Sequence, residues 1–287
     1  MAVETLAAAP SLPRLYAKAV LTARGRGGQL PDRVLRLESV RVDRDRLLAY
    51  QRLCGFAGGD VLPHTYPHLL GFPLQMELMA RPDFPLALPG LVHVENTITV
   101  HRALTADDQL EVTVGAEHLR EHPKGQLVDI LTVARRGGER VWEGRSTYLR
   151  RGSAHPVAPA PDPAPDFPDG DPATLWRLPG GLGREYAAVS GDVNPIHLHA
   201  ITARAMGFRS AIAHGMWTSA RTLAALGPRT SRPSASQVWF RKPVTLPSAV
   251  ELVLGSRGGC TTAGLRSARE PAVEHLVLAW RPAPAAP

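Results

Sequence analysis

Apolar and polar residues alternate in four segments of the first half of the chain and in four segments of the second half. The segments are residues 91–101, 109–118, 126–135 and 140–150, and then residues 235–242, 249–256, 262–269 and 273–281. Alternation with a period of two is typical of β-strands that bury one face, and the glycine-rich turns between them indicate antiparallel neighbours. The pattern therefore predicts one antiparallel sheet in each half.

A run with helical character precedes each set of strands. In the first half it is the apolar segment 69–79, and in the second half apolar residues recur at near-helical spacing over residues 218–226, with Gly215 ahead of them. Helices followed by consecutive strands predict an α+β fold, in which an antiparallel sheet wraps a central helix. The amphipathic segment 15–23 predicts a short surface helix that has no counterpart in the second half.

The two halves of the chain repeat one plan. Residues 99–112 align with residues 239–252 without a gap, and residues 48–56 resemble residues 184–192. At the end of the second pair, Phe56 of the first half stands where the second half has an aspartate. The loss of polar residues from one copy predicts a single active site per chain, located in the second half.

A proline-rich stretch, residues 152–168, separates the two halves and cannot continue a sheet. We therefore predict a degenerate N-terminal domain over residues 1–151, a linker over residues 152–173 and a catalytic C-terminal domain over residues 174–287. A chain of 287 residues is long enough for two domains of ordinary size. The proline-rich tail, residues 281–287, is expected to fray.

The segment 186–197 reads Tyr-Ala-Ala-Val-Ser-Gly-Asp-Val-Asn-Pro-Ile-His and combines a carboxylate, a carboxamide and an imidazole. Its glycine and its proline interrupt helix formation, so we expect Asp192, Asn194 and His197 to lie on a tight loop. An aspartate and a histidine that converge on one hydroxyl form a general acid and base pair. By composition alone, the same residues are also typical of an ordinary turn.

A His-Gly pair precedes the helical run of the second half. A helix that opens on a glycine offers backbone N–H groups to a developing negative charge, so Gly215 is a candidate for binding an oxyanion. We expect His214 to have a structural role at this turn. We predict no metal site from His197, His199 and His214, because they lack a convincing set of further ligands at metal-binding spacing.

The segment 186–197 resembles the hydratase 2 motif of the MaoC-like dehydratases, and the His-Gly pair follows it at a suitable distance. More loosely, the chain over about residues 30–282 resembles the two-hot-dog acyl dehydratases of actinobacterial type. The resemblance implies an α+β double hot-dog fold, with two antiparallel sheets that each wrap a central helix.

The same resemblance implies an activity and a role for each motif residue. It implies a (3R)-hydroxyacyl-thioester dehydratase, equally an (R)-specific trans-2-enoyl-thioester hydratase, which is a hydro-lyase of fatty acid metabolism. Asp192 and His197 would divide the two proton transfers, Asn194 would contact the water, and Gly215 would form the oxyanion hole. No cofactor is expected beyond the coenzyme A or phosphopantetheine that the substrate carries.

Six further residues are candidates for contact with the substrate. They are Tyr186, Ser190, Arg241, Lys242, Phe56 and Met76. Tyr186 and Ser190 belong to the motif, and Arg241 and Lys242 are candidates for contact with a phosphate. Phe56 and Met76 are candidates for closing the tunnel that would hold the acyl chain. Each of these side chains also suits a plain core or surface role.

The positive net charge of the chain indicates an acidic ligand. The formal net charge is +7, but the arginines are dispersed and are not interleaved with aromatic residues, so nucleic acid is not an expected partner. The phosphates of coenzyme A or the acidic surface of an acyl carrier protein fit this charge. Cys54 and Cys260 provide neither a disulfide framework nor a metal-binding spacing. Since the sequence shows no long apolar run and no signal peptide, we expect a cytoplasmic protein without a membrane partner.

Two other functions remain open from the sequence. A hot-dog thioesterase would need a carboxylate on the central helix, and residues 216–226 contain none. A non-catalytic subunit that binds acyl thioesters or serves as a scaffold is the other alternative, against which the intact Asp192, Asn194 and His197 argue. A homodimer or a larger fatty-acid or polyketide assembly is compatible with the sequence.

Overall fold

The structure is a computed structural model that describes residues 2–152 and 163–283. In chain order its helices and strands are β1 (Ala2–Thr5), α1 (Leu12–Leu21), β2 (Arg33–Val40), α2 (Arg44–Cys54), α3 (Tyr66–Ala80), β3 (Leu91–Val100), β4 (Leu110–His122), β5 (Gly125–Arg136), β6 (Glu139–Arg151), β7 (Pro172–Leu178), α4 (Leu182–Ser190), α5 (Pro195–Leu198), α6 (Ala200–Ala205), α7 (Gly215–Ala225), a 3₁₀ turn (Pro228–Ser231), β8 (Ser234–Phe240), β9 (Ser248–Arg257), β10 (Cys260–Ser267) and β11 (Glu274–Pro282).

Contacts divide the chain into two compact units. Unit 1 consists of Met1–Val42, Pro67–Ile98 and Asp107–Pro163, and unit 2 consists of Asp43–Tyr66, Thr99–Ala106 and Ala164–Pro287. Each unit therefore combines segments that are far apart in the sequence.

The units do not follow chain order, because segments 43–66 and 99–106 of the first half belong to unit 2. The predicted domains, 1–151 and 174–287, assign both segments to the first domain. That domain division stays a prediction, and most of its predicted linker, residues 153–162, lies outside the described residues.

Unit 1 contains a sheet with the strand order β1-β2-β4-β5-β6-β3 and the long helix α3. Gly71 of α3 lies so close to the sheet that a Cβ atom there would stand 2.4 Å from Thr132 Cγ2. Gln75 of the same helix donates a hydrogen bond of 2.9 Å to Thr132 Oγ1. The helix therefore packs directly on β5.

One strand pair of unit 1 departs from the predicted antiparallel sheet. β1 pairs with β2 in parallel, with Ala2 opposite Arg33 and Thr5 opposite Arg36. A parallel neighbour requires a crossover between the strands, and α1 supplies it. The predicted surface helix over residues 15–23 corresponds to α1, which begins earlier in the chain, with a proline in its first turn.

Unit 2 contains an antiparallel sheet with the strand order β8-β11-β10-β9-β7 and the helix α7. The buried face of α7 includes Trp217, Ala220 and Leu223, which are at most 4% exposed. Each unit thus combines one largely antiparallel sheet with one buried helix, so the predicted α+β class is confirmed.

All the predicted strand segments are confirmed, as β3 to β6 and as β8 to β11. The sequence pattern did not predict β1, β2 and β7, which lie at or next to the ends of their sheets. β11 continues to Pro282, so the predicted fraying does not begin at residue 281, and residues 284–287 lie outside the described residues. Within the described part of the chain, no helix has the length and apolar character needed to span a membrane.

Candidate active site

The site begins where α4 ends. Gly191 adopts the left-handed conformation with φ 80°, which glycine tolerates without steric cost, and its N–H donates to the Ala187 carbonyl at 2.8 Å. The next turn is held by side chains: Ser190 Oγ accepts a bond of 3.1 Å from the Asp192 N–H, and Asp192 Oδ1 accepts one of 3.2 Å from the Asn194 N–H. The direction of the chain at Asp192 is therefore fixed locally.

His197 does not lie on a loop, so that part of the prediction was wrong. It belongs to the one-turn helix α5, which Asn194 caps by accepting a bond of 3.4 Å from the Ile196 N–H. Pro195 is the first helical residue, where the missing N–H costs nothing and the fixed φ suits the helix. The proline starts a helix here rather than preventing one, and His197 is the buried residue of that helix.

The imidazole of His197 is buried and oriented. It is 8% exposed, and its Nδ1 lies 2.8 Å from the Ile212 carbonyl. Because a carbonyl only accepts, Nδ1 carries the proton, and Nε2 of the neutral ring presents a lone pair. Burial lowers the pKa of His197 below its usual 6.5, against the opposing effect of the Asp192 carboxylate. His197 is therefore a neutral base at neutral pH.

His214 connects the start of α7 to the turn that carries Asp192. It is the N-cap residue of α7, and its Nε2–H donates to the Asp192 main-chain carbonyl at 3.0 Å. Its ring stacks on that of His197, with centroids 3.7 Å apart and an angle of 26° between the planes. Burial and the neighbouring His197 lower the pKa of His214 to about 3, so this ring stays neutral. Its placement agrees with the structural role predicted for it.

Gly215 is the first residue of α7, and the first N–H groups of a helix lack intrahelical partners. A Cβ atom at this position would stand 3.1 Å from Cε1 of Phe240, so the glycine keeps the helix start close to β8. The N-terminus of α7 thus carries N–H groups and the positive end of the helix dipole beside His214. It is suited to stabilise a negatively charged oxygen.

Of the six predicted substrate-contact residues, all but Met76 lie in unit 2. The Tyr186 ring is buried 4.8 Å from that of His214, and Ser190 forms part of the turn already described. Phe56 is half-buried and stacks on Tyr50 with 6.2 Å between centroids. Lys242 is exposed beyond β8.

Arg241 and Met76 are already engaged within the protein. Arg241 forms an ion pair with Glu274 and donates a bond of 2.5 Å to the Pro165 carbonyl, so part of its charge is already matched. Met76 belongs to unit 1, where it is 2% exposed within α3. For all six residues, contact with the substrate stays a prediction.

Two residues of the site were not found from the sequence. Gly183 in α4 faces α5 so closely that a Cβ atom would stand 1.9 Å from the His197 carbonyl oxygen. Arg46 of α2 bonds the last carbonyls of α4. A glycine inside a helical run is itself a signal of close packing, and Gly183 was identifiable on that basis. Arg46 had no such signal, because its partners are more than 140 residues away in the sequence.

Asp192, His197 and His214 place one potential ligand atom each within 4.8 Å of the others. A metal ion would have to lie in the plane of each imidazole, about 2.0–2.1 Å from its nitrogen. The two stacked rings have nearly parallel planes, so their in-plane lone pairs do not converge on one point. The geometry is better suited to proton transfer than to metal binding, and the predicted lack of a metal site stays a prediction.

Known proteins share both the sequence and the architecture. Residues 164–266 match the model of the MaoC like domain. The 3-hydroxyacyl-thioester dehydratase X of Mycobacterium tuberculosis is 38% identical over 237 residues, which cover 82% of this chain and 84% of the relative. The 3-hydroxybutyryl-CoA dehydratase of Methylorubrum extorquens is 38% identical over 71 residues, which cover 23% of this chain and 45% of that relative.

Solved structures show the same likeness. The crystal structure of HtdX from Mycobacterium tuberculosis matches with a TM-score of 0.77 at 35% identity, covering 87% of this chain and all of that one. A MaoC-like dehydratase from Phytophthora capsici matches with a TM-score of 0.72 at 18% identity, covering 90% of this chain and 98% of the other. The second likeness concerns the fold alone, and together the two confirm the predicted hot-dog architecture.

Proposed function

The chain belongs to the MaoC-like dehydratase family, and from this premise we propose that it is a 3-hydroxyacyl-thioester dehydratase. One observation carries the proposal: the Asp192 carboxylate, the neutral His197 imidazole and the N-terminus of α7 meet in one cluster in unit 2. These are the three groups that eliminating water from a 3-hydroxyacyl thioester requires. In reverse, the same groups add water to a trans-2-enoyl thioester.

The reaction needs stabilisation of charge at the thioester carbonyl. Loss of the C2 proton turns that carbonyl oxygen into an enolate oxygen, which is negatively charged. With this oxygen against the Gly215 N–H, the hydrogen bond and the dipole of α7 would both stabilise the negative charge. The C2 proton thereby becomes acidic enough for a side chain to remove.

The two proton transfers fall to Asp192 and His197. The lone pair of His197 Nε2 would take the C2 proton, and the bond from Nδ1–H to the Ile212 carbonyl would hold the resulting imidazolium in place. For this step Asp192 must carry a proton. Its carboxyl group would give that proton to the C3 hydroxyl, which leaves as water, and Asp192 would become a carboxylate. The proton gained by His197 then passes to Asp192 through solvent, which restores both residues for the next turnover.

The way Asn194 caps α5 indicates which end of its amide group is available to the substrate. Its carboxamide oxygen is engaged with the Ile196 N–H, so the amide nitrogen is the end that presents donors. A donor is what the C3 hydroxyl oxygen needs while its bond to carbon breaks. Asn194 would therefore hold the departing oxygen beside Asp192.

The substrate is proposed to be a fatty acyl thioester of the (R) series, carried by coenzyme A or by an acyl carrier protein. The net charge of +7 favours either acidic carrier. The acid and base chemistry above uses side chains alone and requires no bound cofactor. Hydrolysis is not favoured, because α7 carries no carboxylate to activate a water against the carbonyl.

The proposal is tested by following the enoyl-thioester absorbance after adding crotonyl-CoA or a longer trans-2-enoyl-CoA. The wild type should consume the enoyl thioester and give the (R)-3-hydroxyacyl product. Asp192→Asn should reduce turnover by about 10²-fold or more while the circular dichroism spectrum stays unchanged, because the variant lacks the proton donor. Substantial activity in the folded variant would refute the role of Asp192, and an (S) product would refute the stereochemistry.

A further inference from the structure

The helix α2 belongs to the first half of the sequence but lies in unit 2 with the candidate site. Asp43 caps it by accepting a hydrogen bond of 3.0 Å from the Arg46 N–H, which places Arg46 in the first turn. The side chain of Arg46 is half-buried and reaches the end of α4.

Arg46 donates two hydrogen bonds there. Its Nε lies 2.6 Å from the Val189 carbonyl and its Nη2 lies 3.0 Å from the Ser190 carbonyl. The last carbonyls of a helix have no partners within the helix, and they form the negative end of its dipole. A guanidinium group, with its rigid planar fork of donors, satisfies two such carbonyls at once.

The bonded carbonyls lie two and three residues before Asp192. The chain reverses at Gly191, and the next residue is Asp192, so a displacement at the end of α4 moves the carboxylate. On the other side, His214 Nε2–H fixes the Asp192 main-chain carbonyl at 3.0 Å. The turn is therefore held from both ends, by one residue of α2 and by one residue at the start of α7.

The helix α7 also holds α2. Trp217 Nε1–H donates to the Leu53 carbonyl, and Arg221 Nη1–H donates to the Cys54 carbonyl, each at 3.3 Å. The helix that begins at Gly215 thus anchors α2, and α2 anchors the end of α4. The oxyanion-binding end of α7 and the Asp192 carboxylate are linked through α2.

We propose that Arg46 is a positioning residue of the active site, which keeps Asp192 aligned with His197 by holding the end of α4. The inference rests on the proposed dehydratase function, and it assigns a catalytic purpose to a helix from the half of the sequence without acid and base residues. Arg46 acts through α4, so its loss should affect the chemical step more than substrate binding.

Arg26 provides a matched control. It is also half-buried, and it bonds the end of α3 in unit 1, with its Nη1 2.9 Å from the Met79 carbonyl and its Nη2 3.1 Å from the Ala80 carbonyl. The bonds are the same in kind, but no proposed catalytic residue follows that helix. Replacing each arginine with methionine keeps an apolar stem of similar length and removes the donors.

We expect both variants, Arg46→Met and Arg26→Met, to lower the midpoint of thermal unfolding. Only Arg46→Met should lower kcat for enoyl-thioester hydration, by about tenfold or more, with KM changed less than about twofold. Arg46→Lys should be intermediate, because one ammonium group satisfies fewer carbonyls in this geometry. Equal effects of Arg46→Met and Arg26→Met on kcat, or a loss confined to KM, would overturn the proposal.

A second readout does not depend on turnover. Hydrogen exchange measured by mass spectrometry should be faster over residues 186–194 in Arg46→Met than in the wild type, and unchanged there in Arg26→Met. Unchanged exchange in Arg46→Met would contradict positioning whatever the kinetics. If the wild type converts no enoyl thioester at all, the proposed function fails, and hydrogen exchange still decides whether Arg46 holds the turn.

Discussion

At the residue scale, Gly183 shows how the absence of a side chain sets the position of a catalytic group. A Cβ atom there would stand 1.9 Å from the His197 carbonyl oxygen, which is main chain and cannot rotate away. Gly183→Ala must therefore push α5 from α4. We expect a loss of about 1–3 kcal/mol in the free energy of unfolding, together with a fall in kcat.

The matched control is Gly180→Ala, three residues earlier. A Cβ atom there would meet Pro247 Cδ at 3.8 Å, which is ordinary van der Waals contact. Urea unfolding and enoyl-thioester kinetics should find this variant close to the wild type. If Gly183→Ala behaves in the same way, the close approach does not position His197.

The pH dependence of catalysis should report the protonation state of His197. Its pKa lies below 6.5 because burial disfavours the charged ring, and the base must be neutral to act. The loss of dehydration kcat/KM that protonation of His197 causes should therefore lie below about pH 6.5, and not near pH 7. A rate profile recorded on a hydroxyacyl thioester checks this, and an acidic limb centred above that pH would contradict His197 as the base.

The sequence predicted the composition of the site better than its local geometry. The proximity of Asp192 and His197 follows from a short segment with a carboxylate and an imidazole, and the structure brings both together with the start of α7. The one-turn helix under His197 was missed, because Pro195 was interpreted as a helix breaker rather than as a first helical residue. A proline permits both, and the capping asparagine decides between them.

At the element scale, strands were predictable where alternation is long. β2 and β7 were missed because each buries only two hydrophobic side chains, Leu35 and Leu37 in β2 and Trp176 and Leu178 in β7. Two alternating apolar residues are too few to distinguish a strand from a loop by their spacing.

The repeat identified two similar segments, which form the ends of α2 and α4, but it did not predict where these helices pack. α2 and α4 both end at a left-handed glycine, Gly55 with φ 79° and Gly191 with φ 80°, as the alignment of the two halves implies. That α2 lies in unit 2 depends on bonds such as the one from Arg46 to Val189, between residues distant in the sequence. Periodicity and local motifs carry no information about such pairs.

At the scale of the whole molecule, buried neutral histidines should make the fold sensitive to acid. Burial lowers the pKa of His64 to about 4, and burial with a neighbouring histidine lowers that of His214 to about 3. Unfolded histidines bind protons below about pH 6.5, whereas these folded ones do not. The unfolded state therefore gains protons first, and stability falls as the pH drops from about 6.5 towards the folded-state pKa values.

Each such histidine should contribute a slope of up to about 1.4 kcal/mol per pH unit. Urea unfolding at several pH values between about 7 and 5 measures the slope. His64→Asn should reduce this slope by about the contribution of one proton, because asparagine does not titrate. Asparagine can still donate a hydrogen bond to the Thr230 carbonyl, which His64 Nδ1 contacts at 3.1 Å. An unchanged slope in that variant would show that His64 does not resist protonation in the fold.

The placement of α2 also constrains how this chain can change over time. Here the half of the chain without counterparts of Asp192 and His197 still supplies a helix to the unit that contains these two residues. Selection for turnover therefore acts on both halves of the gene, and a deletion that removed the inactive copy would remove part of the active one.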